Sequence, residues 1–292
     1  MATIREVCRV DDLDDLLLRM ARRDENPRVI AGGTDLLLKY RGCNESLTLI
    51  DVTGVTDLSV IEECSDGIRI GAAVRLADLV RSDIVRSRWP VLADGAAAIA
   101  GPPIRNLATL GGNVCNASPS ADTVPPLLVL DARAELRSAK GMRSVSVAEL
   151  FVGPGRTVLG PDEVAVAFTL PWPEPGTVAS YTKVSPRQAM DLAVAGVAVS
   201  LSRAGGELMT RIGLGAVAPT PLRAFAAEEY VHSVGEIHNG VAAEAGRLAE
   251  EAVSPIDDVR GSARYRRQMV RRLVARDLLR GFDRLTGQAV SS

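Results

Sequence analysis

Apolar positions over residues 1–56 alternate between helical and strand spacing. Leucine and methionine recur at helical spacing over residues 11–22, which predicts an amphipathic helix. Short apolar runs over residues 28–31 and 47–52 predict strands, with a helix or turn over residues 36–40 between them. This βαβ-like order of elements predicts a small α/β lobe.

A different pattern follows over residues 57–175. Its predicted elements are strands over 58–62 and 68–72, helices over 75–80 and 91–100, and strands over 132–136, 145–147 and 162–170. The Gly-Pro-Pro sequence at residues 101–103 ends the second helix, because proline fixes φ and lacks an amide hydrogen. We therefore expect a larger α+β lobe, which completes a first domain over residues 1–175.

Residues 171–176 mark a domain boundary. Pro171, Pro173 and Pro175 disfavour regular structure there. Strand-like runs over 178–184, 192–201 and 208–216 follow, and the rest is mostly helical up to a long helix over 263–285. Strands followed by helices predict an α+β domain over residues 177–286, with a three-stranded antiparallel sheet and helices.

Composition and charge exclude several classes of protein. The chain has 34 basic and 36 acidic residues and a net charge of −2, without the concentrated basic field of a nucleic-acid binder. Its longest charge-free apolar runs, such as residues 192–202, are too short to span a bilayer. Charged residues occupy the start of the chain, where a signal peptide would need an apolar segment. We expect a soluble, cytoplasmic protein.

The cysteines and histidines form no recognisable metal or hydrolytic pattern. Cys8, Cys43, Cys64 and Cys115 are separated by 35, 21 and 51 residues, whereas iron–sulfur and zinc sites draw several ligands from one tight loop. We expect small, buried or half-buried thiols and no metal site. The chain has only 2 histidines, both in the helical tail, so no Ser-His-Asp set is assembled and no catalytic residue is assigned.

Two glycine pairs carry the candidate chemistry. The first, at residues 31–35 (Ala-Gly-Gly-Thr-Asp), ends a predicted strand. One interpretation is an ordinary strand-to-helix turn, with Thr34 or Asp35 capping the next helix. The other is a phosphate nest, in which successive backbone N–H groups point into one concavity. A lysine that would suit a triphosphate is missing from this loop, so a pyrophosphate is the better fit.

The second pair lies in a stretch rich in small polar residues. Thr109, Asn113, Asn116 and Asp122 surround the pair at residues 111–112. So many polar side chains are not typical of a core, although Asp122 has the alternative role of capping a following helix. Neither a G-x-G-x-x-G fingerprint nor a G-x-x-x-x-G-K-[ST] loop is present, so a standard Rossmann or P-loop protein is excluded at the level of motifs.

Taken together, these segments resemble one family. The matching segments are Ala-Gly-Gly-Thr-Asp-Leu at 31–36, Ile-Arg-Asn at 104–106, Ala-Thr-Leu-Gly-Gly-Asn at 108–113, Ser-Pro-Ser-Ala-Asp at 118–122 with Pro125, the Lys/Arg/Asp segment at 181–193, and residues 215–224 and 262–266. They are similar, in the same order, to the FAD-binding medium subunit of molybdenum hydroxylases. That group includes the flavoprotein subunit of carbon monoxide dehydrogenase and the flavin domain of xanthine dehydrogenase. The resemblance covers nearly the whole chain.

The resemblance implies a fold and a set of binding residues. The fold is a two-part FAD-binding domain of the PCMH (vanillyl-alcohol oxidase-like) type, followed by a smaller C-terminal domain. FAD would be bound non-covalently, its pyrophosphate held by the first loop and its phosphate and ribityl parts by the second stretch. Asp122 would make a polar contact, and Lys183 would approach from the second domain. The implied cofactor-binding residues are Arg28, Val29, Ile30, Ala31, Gly32, Gly33, Thr34, Asp35, Leu36, Ala108, Thr109, Gly112, Asn113, Asn116, Asp122 and Lys183.

Lys183 has an independent signal and an open alternative. It is one of only three lysines, with Lys39 and Lys140, in a chain whose cations are mostly arginine. A compact ammonium is distinct from a planar guanidinium, so its use here suggests a specific contact. An incidental surface lysine is the other interpretation.

The resemblance also implies partners and leaves alternatives. A small subunit with two [2Fe-2S] clusters and a large subunit with a molybdenum cofactor would form a higher hetero-oligomer with this chain. The flavin of this chain would collect electrons and pass them to an external acceptor. The alternatives are a degenerate docking scaffold without flavin and a self-contained flavin oxidase. The sequence does not indicate the substrate or the acceptor.

Overall fold

The computed structural model describes residues 3–41, 44–187 and 190–287. The thiol of Cys43 and residues 188–189 of the family-like segment lie outside the described residues. The described part of the chain forms three layered units, each with its own sheet and apolar core. The α+β class that the sequence predicts is confirmed.

The first unit is a small parallel sheet with a helix packed on it. Its elements are β1 (Thr3–Arg9), α1 (Leu13–Met20), β2 (Pro27–Ile30), α2 (Leu36–Lys39) and β3 (Ser46–Asp51). The strand order is β1-β3-β2, and both pairings are parallel. Asp12 caps α1 by accepting a 2.8 Å hydrogen bond from the N–H of Asp15, and Leu16 of this helix is fully buried. The βαβ-like opening is therefore confirmed.

The second unit is an antiparallel sheet covered by helices. Its elements are β4 (Ile61–Cys64), β5 (Gly67–Gly71), α3 (Leu76–Arg81), α4 (Asp83–Arg88), α5 (Pro90–Ala97), α6 (Pro102–Arg105), α7 (Leu110–Cys115), α8 (Val124–Val129), β6 (Arg133–Ser138), β7 (Gly141–Ser146), β8 (Phe151–Gly153), β9 (Arg156–Thr157) and β10 (Val164–Pro171). The main sheet has the order β4-β5-β10-β6-β7. Trp89, Phe168 and Leu110 are almost completely buried in the core between sheet and helices.

The third unit is a sheet flanked by long helices. Its elements are β11 (Val178–Val184), β12 (Ala195–Ala204), β13 (Glu207–Gly215), β14 (Leu222–Arg223), α9 (Phe225–Val234), α10 (Asn239–Glu251) and α11 (Ala263–Thr286). The predicted three-stranded sheet is corrected to four strands, in the order β11-β12-β13-β14. The added strand is short and is fixed by Arg223, whose guanidinium binds Glu228 at 2.6 Å and Asp131 at 2.8 Å.

Two tryptophans anchor the segment between the second and third units. The Trp89 indole N–H donates to the carbonyl of Pro171 at 3.1 Å, and the Trp172 indole N–H donates to the carbonyl of Cys64 at 3.2 Å. The two rings lie with their centroids 5.1 Å apart. The proline-rich connection therefore starts from a fixed position on the second unit.

Candidate functional site

A cavity of about 540 Å³ lies between the first glycine loop and helix α7. This volume falls in the range of small-molecule and cofactor sites. Every residue that the sequence analysis assigned to cofactor binding lines the cavity, except Lys183. The predicted residues on its walls are Arg28, Val29, Ile30, Ala31, Gly32, Gly33, Thr34, Asp35, Leu36, Ala108, Thr109, Gly112, Asn113, Asn116 and Asp122.

Several residues that line the cavity are not predicted from the sequence. They are Lys39, Tyr40, Ile99, Ala100, Ile104, Cys115, Ser118, Ser120, Ala121, Met190, Asp191 and Leu192. Lys39 had a usable signal, because the scarcity of lysine that singled out Lys183 applies to it equally. Tyr40 had none, yet its hydroxyl accepts a 3.0 Å hydrogen bond from Nε of Arg28 on the cavity wall.

The first glycine loop presents unpaired backbone donors beside the cavity. In the described part of the chain, the N–H groups of residues 32–35 donate to no protein acceptor. Gly33 has φ of 66°, in the left-handed region that favours glycine. Asp35 occupies the N-cap position of α2 but makes no capping hydrogen bond with its side chain. These observations support the nest over a side-chain-capped turn.

Gly32 holds the first loop against the second stretch. A Cβ on Gly32 would lie 2.0 Å from the carbonyl oxygen of Leu107, so the two segments pack backbone to backbone. Close approach of this kind requires glycine. The first loop and the second stretch form two walls of a single cavity.

The second glycine pair lies in helix α7, for which the sequence analysis predicts no element. Thr109 caps α7, because its Oγ1 accepts a 3.1 Å hydrogen bond from the N–H of Gly112. A Cβ on Gly111 would lie 2.7 Å from the carbonyl oxygen of Ala72, so Gly111 packs toward the core. A Cβ on Gly112 would approach only Thr109 Oγ1, at 2.9 Å, and Gly112 lines the cavity. The two glycines therefore have different roles.

Asp122 connects the cavity to the third unit. Its carboxylate accepts hydrogen bonds from the Tyr181 hydroxyl at 2.6 Å and from Lys183 Nζ at 2.8 Å, both on β11. Lys183 Nζ also donates to the carbonyl of Ala98 at 2.9 Å. The helix-capping alternative for Asp122 does not apply, since Thr123 is at the N-cap of α8. Lys183 thus reaches the site through Asp122, and it is not an incidental surface lysine.

Burial sets the protonation behaviour of this cluster. The Asp122 side chain is 5% exposed, and its burial raises the pKa of the carboxyl, although Lys183 and Tyr181 act in the opposite direction. Burial and the neighbouring Asp122 raise the pKa of Tyr181 well above its ordinary value. Tyr181 is therefore a neutral hydrogen-bond donor at physiological pH.

The cavity offers binding groups without an activated nucleophile among its described lining residues. Burial raises the pKa of the Cys115 thiol to about 12, so it is protonated at neutral pH and weakly nucleophilic. Asn113 is held in place by a 2.6 Å hydrogen bond from the Thr123 hydroxyl. The histidines are elsewhere: His238 caps α10, and His232 contacts the carbonyl of Leu208 at 3.0 Å.

The cysteines whose surroundings the structure describes have different exposures. Cys8 is buried and Cys115 is half-buried, as expected, but Cys64 is exposed on β4. Within the described ranges, no group of three His, Cys, Asp or Glu residues could hold a metal ion. No described helix is both long and apolar enough to cross a membrane.

Comparison with known proteins identifies the family. The model of the FAD binding domain in molybdopterin dehydrogenase matches residues 3–173, and that of the CO dehydrogenase flavoprotein C-terminal domain matches residues 180–280. The xanthine dehydrogenase FAD-binding subunit of Escherichia coli O157:H7 is 36% identical over 211 residues, which cover 70% of this chain and 72% of that protein. The carbon monoxide dehydrogenase medium chain of Afipia carboxidovorans is 32% identical over 270 residues, covering 89% of this chain and 91% of that one.

A solved structure supports the same assignment. Carbon monoxide dehydrogenase from Hydrogenophaga pseudoflava, in a form that lacks the Mo-pyranopterin moiety of the molybdenum cofactor, superposes with a TM-score of 0.91 at 31% identity. The match covers 97% of this chain and 99% of that chain. The fold and site thus define an FAD-binding subunit of an oxidoreductase. The chain belongs to the family of FAD-binding subunits of molybdenum hydroxylases, as the resemblance predicted.

The residues present fit FAD. A pyrophosphate needs closely spaced donors and room beside the backbone. The unpaired N–H groups of residues 32–35 supply the donors, and the cavity beside them supplies the room. Gly112 lines the same cavity without a side chain. The polar groups along the cavity, from Asn113 to Asp122, suit the hydroxyl and amide groups of the rest of the cofactor.

Proposed function

We propose that this chain is the electron-transfer subunit of its complex and binds FAD non-covalently. It would take electrons from a small subunit carrying [2Fe-2S] clusters and pass them to an external acceptor. A large subunit with a molybdenum cofactor would oxidise the substrate. The observation that carries the proposal is the row of N–H groups at residues 32–35 without protein acceptors, in a cavity that Gly112 also lines without a side chain.

We assign residues to parts of the cofactor from their place on the cavity walls. Residues 28–36 would hold the pyrophosphate through main-chain N–H groups. Residues 108–116 would hold the phosphate and ribityl parts, with Ala108, Thr109, Gly112, Asn113 and Asn116 in contact. We also propose that residues 1–175 are the FAD-binding domain, with lobes 1–56 and 57–175, and that residues 177–286 form the C-terminal domain.

Asp122 and Lys183 would have linked roles. Asp122 lines the cavity and would make a polar contact to FAD, while Lys183 compensates its charge and fixes its position. When bound, FAD supplies an acceptor that takes two electrons and can exchange them singly. The protein binds and orients the cofactor, and it sets the polarity of the cavity.

The test is to purify the complex and remove FAD from it. The reduced complex is mixed rapidly with candidate acceptors (NAD⁺, a quinone, cytochrome c or oxygen), and reoxidation of the iron–sulfur clusters is followed by absorbance. We expect FAD removal to slow reoxidation strongly and added FAD to restore it. Equal rates with and without FAD would indicate a docking scaffold. Substrate turnover by this chain alone would indicate a self-contained flavin oxidase.

A further inference from the structure

We propose that Arg105 is a positioning residue of the flavin site, which holds one cavity wall in shape without contacting the cofactor. This inference rests on the proposed function. Arg105 is absent from the described cavity lining, whereas Ile99 and Ala100, whose carbonyls it binds, are part of that lining. Its role would be to set the path of the backbone that connects α5 to α6.

The carbonyls at the end of α5 are bound by cationic side chains. Nη1 of Arg105 lies 3.1 Å from the carbonyl oxygen of Ala97, 2.7 Å from that of Ile99 and 2.9 Å from that of Ala100. Lys183 binds the remaining carbonyl in this run, that of Ala98, at 2.9 Å. Ala97 is the last residue of α5, and the other three follow it. Carbonyls at and beyond the end of a helix have no intrahelical donors, so these contacts supply donors that the helix cannot.

The backbone that Arg105 binds is strained. Ala100 has φ of 41°, a left-handed conformation that a residue with a Cβ rarely adopts. Such a conformation persists only when its surroundings fix it. Here the surroundings are a charge-assisted contact to the carbonyl of the strained residue itself.

Charge gives Arg105 a second effect on the site. Carbonyls at and just after a helix C-terminus carry partial negative charge. Two of the residues that bear them here, Ile99 and Ala100, line a cavity proposed to hold an anionic cofactor. The guanidinium compensates this charge and turns the carbonyl oxygens toward itself. All three contacts come from Nη1, which lies one bond farther from Cα than the Nζ of a lysine would, so lysine is not equivalent at this position.

A double-mutant cycle in the full chain tests this role. The dissociation constant for FAD is measured by equilibrium dialysis for the wild type, Arg105→Gln, Ala100→Gly and the double variant, with urea unfolding in parallel. Arg88→Gln is the matched control, because Arg88 is exposed on α4 and makes no hydrogen bond or ion pair within the described residues. We expect Arg105→Gln to weaken FAD binding about tenfold and the control to leave it unchanged.

Rescue separates positioning from general stabilisation. Glycine adopts a left-handed conformation without strain, so Ala100→Gly in the Arg105→Gln background should recover most of the lost affinity. Arg105→Lys keeps the charge but ends one bond shorter, so it should bind FAD with intermediate affinity. It tests the inference if Arg105→Gln does not fold. Wild-type affinity in both Arg105 variants, or a double variant no better than Arg105→Gln, would overturn the inference. A wild type that binds no FAD would overturn the proposed function as well.

Discussion

Lys183 on β11 and Asp122 beside α8 form an ion pair of 2.8 Å that joins the third unit to the wall of the cavity. The lysine side chain is 13% exposed and the aspartate side chain 5%. Asp122 lines the cavity, so a residue of one unit fixes a site built mainly by the other two. The position of the third unit and the geometry of the proposed flavin site are therefore coupled.

Lys183→Met should destabilise the protein by about 3–5 kcal/mol, because it leaves the buried Asp122 carboxylate without its counter-charge. The control is Lys140→Met. Lys140 pairs with Asp162, and the Lys140 side chain is 78% exposed. That change should cost about 1 kcal/mol or less. Urea unfolding of both variants measures the difference. Equal, small effects would show that the Asp122 pair does not join the units.

Gly112→Ala should reduce FAD retention with little change in stability. Alanine favours the helix over glycine by about 1 kcal/mol, and disturbing the Thr109 cap costs a similar amount, so the two effects offset. The added methyl group would face the cavity. FAD content per chain and the urea midpoint are measured together. Gly153→Ala is the control, because a Cβ there meets nothing within 4 Å and Gly153 is not in the described cavity lining. Full FAD content in Gly112→Ala would contradict the placement.

Asp258→Asn should remove a contribution to the stability of the third unit that depends on pH. The backbone N–H of Arg260, and the guanidinium groups of Arg260 and Arg266, lower the pKa of Asp258 from its ordinary 3.8 to about 2. A lowered folded-state pKa gives stability that is present above the unfolded value and lost as pH falls through the folded value. The wild type should therefore exceed the variant in stability above about pH 4, and this advantage should shrink toward pH 2.

Urea midpoints at a series of pH values between 7 and 2 check this prediction. Asp57→Asn is the control, since Asp57 is exposed and makes no hydrogen bond or ion pair within the described ranges. If the wild type is more stable than Asp258→Asn by the same amount at every pH, the Asp258 charge contributes nothing to folding.

The local patterns in the sequence predicted most elements, since apolar spacing reflects which face of each element is buried. No helix is predicted at residues 111–112, because glycine is a weak helix former, whereas tertiary contacts with Ala72 and the Thr109 cap favour a helix there. A helix after Asp122 entered only as the capping alternative for that residue, although proline at the first positions of α8 is compatible with helix initiation. Helix α4 was missed altogether.

The candidate site was predicted where local motifs form it and missed where distant segments complete it. The loop at residues 31–35 has its own signature, whereas Ile99 and Ala100 reach the cavity only through the path set by Arg105. Met190 and Leu192 come from the third unit, whose position over the cavity no local pattern encodes. The left-handed conformation of Ala100 is likewise a tertiary effect, as its φ of 41° is unfavourable for an isolated alanine.

The measurement that tests the central claim most directly is the FAD content of the purified full chain. Absorption between 300 and 550 nm before and after denaturation shows whether flavin is bound and whether it is released without a covalent link. We expect a yellow protein with about one FAD per chain, released completely on unfolding and rebound on reconstitution. A colourless protein that cannot be reconstituted with FAD would contradict the account.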